Sequence, residues 1–105
     1  MLNNIFANIP LALPEEYFET LFQKSGVQIE RIISKGHVTA EQEWYDQAWD
    51  EWLILLQGSA TLVFENAASV NIMPGDYCLI PARTRHRVSQ TDLDTESIWL
   101  AVHLR

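Results

Sequence analysis

Apolar and polar residues alternate along most of this chain with a period of two, the spacing at which successive side chains of an extended strand point to opposite faces. Over residues 27–34 the alternation sets Val27, Ile29, Arg31 and Ile33 on one side and Ile32 on the other. Residues 51–56 form an apolar run headed by Glu51, and Gln57-Gly58 after it suits a two-residue hairpin turn into residues 59–64. That hairpin would set Leu56 against Ser59, Leu53 against Leu62 and Glu51 against Phe64. Glu51, Leu53, Leu55, Ala60, Leu62 and Phe64 would then share one face, apolar with an acid at its end. Further strands are expected over residues 69–73, 77–80, from about 86, and 98–104. The turn signals of residues 65–68, Pro74-Gly75-Asp76, Pro81 and the polar stretch 91–97 separate them. In the segment around 86, Thr84, His86 and Val88 point inward while Arg83, Arg85 and Arg87 point to water.

One segment departs from this pattern. Tyr17, Phe18, Leu21 and Phe22 recur at helical spacing, Pro14 suits a first helical position, Glu15 and Glu16 suit a first turn, and Gly26 suits a stop. A short N-terminal α-helix over residues 15–24 is therefore expected, behind an extended arm over residues 1–13. The fold class is a small all-β sandwich or barrel with one such helix: one domain, with arm and helix in residues 1–26 and barrel in residues 27–105. Trp52 and Ile54, opposite Glu51, leave apolar surface that something must cover, and a homodimer is expected.

Composition narrows the function classes. Seven basic against fourteen acidic residues give a net charge of −7, which opposes binding to nucleic-acid phosphates and to anionic membrane surfaces. No apolar run approaches the ~20 residues that span a bilayer. No basic segment precedes an apolar core at the N-terminus, so a cytoplasmic chain is expected. The one cysteine, Cys78, permits no internal disulfide and reads as a packed, inert thiol. His37 reads as an exposed loop histidine. His103, on the face of Trp99 and Ala101, either reaches a cavity or ends an outer face.

The chemistry concentrates in Glu51 and His86. A carboxylate at the edge of an apolar face needs a partner, a proton or a metal. The aromatic, acidic stretch before it, with Trp44, Tyr45 and Trp49, together with Trp99, could form the mouth of a barrel that holds an organic ligand; filling of the core is the alternative role for these rings.

Two spacings in this region resemble the motifs of the cupin family. Its first motif ends in Glu, six residues and Gly, as do Glu51 and Gly58; its second places Gly75, Pro81 and His86 in register. The likeness covers roughly residues 35–103. It implies a double-stranded β-helix, the jelly-roll barrel, and a divalent metal such as Mn, Fe or Zn. The two histidines of the first motif are absent: their positions fall on Trp44 and Asp46 in one register and on Tyr45 and Gln47 in the other. Arg83 replaces the glycine after Pro81, and Gln90 replaces the final asparagine. A metal set drawn from the resemblance is thus His86, Glu51 and either Asp46 or Gln47, a nitrogen and two oxygens. The other reading is a metal-free module that binds a small organic ligand among Trp44, Tyr45, Trp49 and Trp99. A third is a closed barrel in which Glu51 and His86 satisfy each other.

Overall fold

The computed structural model describes residues 2–105. Eight strands make up its regular structure: β1 (Tyr17–Lys24), β2 (Val27–Ser34), β3 (Asp50–Gln57), β4 (Ala60–Phe64), β5 (Val70–Ile72), β6 (Tyr77–Ile80), β7 (His86–Thr91) and β8 (Ser97–Leu104). They form two antiparallel sheets, one ordered β1-β2-β8-β3-β6 and the other β5-β4-β7. The core lies between them. Leu53 and Leu55 from β3, Ile80 from β6, and Trp99 and Ala101 from β8 meet Ala60 and Leu62 from β4 and Ile72 from β5, all at most 5% exposed. Burying a Leu or Ile of this kind contributes about 1.5–3 kcal/mol.

The expected N-terminal helix is a strand. β1 pairs residue by residue with β2, from Tyr17↔Ile33 to Lys24↔Val27. Ser25 and Gly26 both have positive φ, 38° and 84°, the geometry of a tight hairpin turn whose twist matches the flanking strands. Gly26 therefore joins two strands and does not stop a helix. A Cβ there would lie 2.7 Å from the carbonyl oxygen of Arg105, and the Arg105 amide donates to the Gly26 carbonyl at 2.7 Å. Aromatic and β-branched residues such as Tyr17, Phe18, Thr20 and Phe22 favour this extended state.

The second correction concerns β3 and β4. The alternation of Glu51, Leu53, Leu55, Ala60 and Leu62 toward the core is as expected, since all five are buried, but the two strands belong to different sheets. Gln57-Gly58-Ser59 is a corner that carries the chain across the sandwich. Leu53 pairs with Cys78 and Ala101, and Leu62 with Val70 and Val88. Gly58 is required at the corner: its φ is 87°, and a Cβ would meet the Ser97 backbone at 2.7 Å.

The arm runs over the outer face of the larger sheet. Arg31, 5% exposed, holds it there. Its Nη1 donates to the carbonyls of Ile5 at 3.0 Å and Ala7 at 2.6 Å, while Nε and Nη2 reach Glu19 on β1 at 2.8 and 2.6 Å. His37 also ties the arm down. Its Nδ1 accepts from the Lys35 amide at 2.9 Å, so Nε2 carries the proton it gives to the Leu13 carbonyl at 3.0 Å. This half-buried staple replaces the free loop histidine expected from the sequence. No helix among the described residues is long and apolar enough to cross a membrane.

Candidate functional site

A cavity of about 260 Å³ opens at one end of the sandwich. β3 sends Glu51 and Leu53 into it, β7 sends His86 and Val88, β8 sends Trp99 and His103, and β2 sends Gln28, Glu30 and Ile32. Phe18 and Leu62 also line it, and Glu16, Tyr45, Gln47, Trp49 and Arg105 do so from outside the strands. Glu51 and His86 are thus brought together, 6% and 5% exposed.

Their geometry is specific. The His86 Nδ1 lies 2.9 Å from the Thr84 carbonyl; a carbonyl only accepts, so Nδ1 carries hydrogen, and in the neutral ring Nε2 offers its lone pair. That Nε2 faces the Glu51 carboxylate at 3.9 Å, beyond direct hydrogen-bond reach. Tyr45 stacks on the His86 ring with centroids 5.5 Å apart and exchanges backbone hydrogen bonds with it, which holds the imidazole in place. The closed barrel, in which the two side chains satisfy each other, does not describe this arrangement.

A second histidine lies beside the first pair. His103 faces Glu51 in the β3–β8 register. Its Nε2 is 3.0 Å from a Glu30 carboxylate oxygen, and its Nδ1 is 2.9 Å from the indole Nε1 of Trp49. The Arg105 guanidinium covers that indole, 4.1 Å from the ring, and donates to Gln28 at 2.7 Å. Glu16 accepts from the Ser34 hydroxyl at 2.5 Å, yet burial pushes its carboxyl above the usual range. Burial, reinforced by the Glu16 charge, likewise pushes the Tyr45 phenol up.

Other residues singled out in the sequence lie elsewhere. Asp46 is outside the cavity: Arg83 and Arg85 hold its carboxylate at 3.3 and 3.5 Å. Trp44 is also outside and carries the Arg87 guanidinium 5.4 Å above its ring. Gln47, Tyr45, Trp49 and Trp99 line the cavity. Cys78 is half-buried, its thiol pushed up by desolvation and by the Glu51 charge. Sequence reasoning missed Glu16, Glu30, Gln28 and Arg105. The alternation of β2 carried a signal for two of them: Gln28 and Glu30 fall on the face of Ile32, opposite Val27, Ile29 and Ile33.

Arg83 occupies the glycine position of the second motif with φ of 62°, the backbone a glycine would adopt, so the motif register holds in three dimensions. The structure superposes on a protein of Ralstonia eutropha JMP134, provisionally named a mannose-6-phosphate isomerase, with a TM-score of 0.95 and 41% identity over 99% of this chain and 97% of that one. A cupin superfamily protein of Desulfitobacterium hafniense DCB-2 gives a TM-score of 0.74 at 21% identity, over 91% and 83% of the two chains. The chain has the cupin fold. An RmlC-like cupin with a double-stranded β-helix, from Methanocaldococcus jannaschii, gives 0.71 at 18% identity over 92% and 86%; at these lower identities the likeness speaks for the fold alone. No family model and no curated protein sequence matches this cupin.

The divalent metal that the fold implies finds an incomplete set of ligands in this cupin. Among the described residues, no three His, Cys, Asp or Glu side chains gather closely enough to hold an ion. Glu51 and His86 have only the neutral amide of Gln47 beside them in the cavity, Asp46 is ion-paired outside it, and His103 has both ring nitrogens engaged. The residues present do not fit a resident metal.

Proposed function

We propose that this cupin binds a small, uncharged, hydroxyl-rich molecule such as a sugar in its barrel, and that Glu51 and His86 accept and return a proton on it. The observation that carries this reading is the facing of two acceptors, the Glu51 carboxylate and the His86 Nε2, across 3.9 Å at the cavity wall. Each acceptor needs its own donor, and two neighbouring hydroxyls of one molecule supply both. In reach of one substrate, the carboxylate can take the proton from the carbon next to a carbonyl, while the imidazole takes the hydroxyl proton at Nε2 and returns it to the carbonyl oxygen, the transfers an aldose–ketose isomerisation needs. The name of the Ralstonia relative supports a sugar. The electrostatics argue against its phosphate: Glu16, Glu30 and Glu51 share the cavity with one arginine, Arg105, so a phosphate dianion would meet net repulsion. Tyr45, Trp49 and Trp99 offer the apolar faces on which a sugar ring packs. A cytoplasmic homodimer free of nucleic acid and membrane, joined through the face of Trp52 and Ile54, goes with this reading.

Calorimetry and thermal shift on chelator-treated protein test it, with D-mannose, D-fructose and D-mannose 6-phosphate as probes. A neutral sugar is expected to bind more tightly than the phosphate ester, and Glu51→Gln or His86→Ala to weaken it about tenfold, roughly 1.4 kcal/mol. Absence of neutral-sugar binding would overturn the reading. So would close to one divalent ion per chain by elemental analysis, lost in His86→Ala, which would restore the metal set drawn from Glu51, His86 and Gln47.

A further inference from the structure

We infer that His103, backed by Glu30, is a second proton-accepting centre of the cavity, and that Trp49 caps it. An indole N–H can only donate. Its 2.9 Å contact therefore makes the His103 Nδ1 an acceptor, and the ring proton resides on Nε2, where the Glu30 carboxylate accepts it at 3.0 Å. Two independent partners thus select one neutral tautomer of a histidine that is 6% exposed. A carboxylate behind an imidazole orients the ring and stabilises the cation that forms when the opposite nitrogen takes a proton. Here that nitrogen is the one the indole covers.

The cap lies outside the strand ladder. Trp49 precedes β3 and takes no part in its ladder, so the indole can turn without breaking strand hydrogen bonds. The Arg105 guanidinium over its ring is itself exposed at the rim. A ligand hydroxyl that displaces the indole meets Nδ1 directly. In the transfer the O–H bond breaks, the proton forms a bond to Nδ1, the electron pair stays on oxygen, and the imidazolium is neutralised by Glu30. Because His103 and Glu51 are partners across adjacent strands, this centre stands next to the Glu51–His86 pair, an arrangement suited to moving protons at neighbouring positions of one ligand. Only the identity of that ligand rests on the function proposed above.

The test needs no ligand. Long-range ¹H–¹⁵N correlation spectra of the wild-type protein at pH 7 are expected to show His103 protonated on Nε2 and bare on Nδ1. Diethyl pyrocarbonate, which attacks a bare ring nitrogen, is expected to modify His103 at least tenfold faster in Trp49→Phe than in wild type. His37, with both nitrogens engaged in the arm staple, should not change. Adding Glu30→Gln to Trp49→Phe should lower the His103 rate several-fold, because the carboxylate no longer backs the ring; an unchanged rate would show that Trp49→Phe acted through exposure alone and would overturn the proposal. A wild-type His103 protonated on Nδ1, or a rate indifferent to Trp49→Phe, would also overturn it. If Trp49→Phe does not fold, the wild-type spectrum decides. Failure of every sugar to bind would leave these outcomes unaffected, so the two readings fail separately.

Discussion

Removing the Arg31 side chain should detach the N-terminal arm from the sheet. Arg31 is the charged residue of an otherwise apolar outer strand face, and its guanidinium gives two short bonds to arm carbonyls and a pair of contacts to Glu19. Hydrogen bonds to a charged group contribute about 1.5–3 kcal/mol each, so the two carbonyl bonds set a scale of about 3–6 kcal/mol. The Glu19 pair adds under about 1 kcal/mol, since that carboxylate is 36% exposed and screened. Arg31→Met keeps the volume and relieves the desolvation of the guanidinium, a cost of several kcal/mol in such sites; the net loss is expected to be about 2 kcal/mol. Arg31→Ala leaves a cavity as well and is expected to lose about 4 kcal/mol. At about 4–8 °C per kcal/mol for a domain near this size, Arg31→Met should lower Tm by roughly 10 °C. Urea unfolding gives the energies, and limited proteolysis reports the arm, which should be cut in the folded Arg31→Met protein and protected in wild type. A loss below about 0.5 kcal/mol with the arm still protected would refute the reasoning, by showing that the arm is held without the guanidinium.

Three further outcomes are expected. Glu16 has its folded-state pKa raised above the ordinary 4.5 by burial; the folded protein therefore holds that proton more tightly than the unfolded chain, and stability falls as pH rises through the interval. Glu16→Gln should accordingly be more stable than wild type at pH 7 and level with it at pH 3.5, by thermal melts at both values. At Arg83, with φ of 62°, Arg83→Val should be less stable than Arg83→Gly by about 1–2 kcal/mol in urea, because a β-branched residue resists the left-handed region. Light scattering at micromolar concentration should show a dimer for wild type and a monomer for Ile54→Arg; a wild-type monomer would remove Trp52 and Ile54 from any interface.

The strands with undisturbed alternation were legible. β2, β6 and β8 fall within a residue of where alternation sets them, and Pro81 stops β6 as expected. β1 was not legible for a physical reason: its pairing with β2 shifts between Thr20 and Phe22, so Leu21 is an extra residue. Such a bulge breaks the period of two and leaves Tyr17, Phe18, Leu21 and Phe22 at helical intervals. The β3–β4 error has a different source. Alternation reports which side chains face the core, and it is the same whether the next strand lies alongside or across the sandwich; only the corner at Gly58 distinguishes them. The site was half legible. Glu51 and His86 stood out because each is polar on an inward face, whereas Glu30 lies on a strand face that Ile32 alone marks as inward, Glu16 lies on a segment with helical spacing, and the proximity of Trp49 to His103 spans 54 residues of sequence.

The place of β8 between β2 and β3 has a consequence for how the molecule is made. β8 is the last of the eight strands to leave the ribosome, yet it is the middle strand of the larger sheet, paired with β2 on one side and β3 on the other. Until it arrives, the β1–β2 hairpin and the β3–β6 pair each present an open edge and have nothing to join them. Trp99 and Ala101, which fill the core, and His103, which completes the cavity wall, all arrive with it. Nascent chains short of β8 therefore carry unsatisfied strand edges beside exposed Leu53, Leu55 and Ile80, the condition in which chains aggregate or recruit chaperones. Closure depends on contacts between distant parts of the sequence, and such folds form slowly. The cavity wall is thus completed in a single late step.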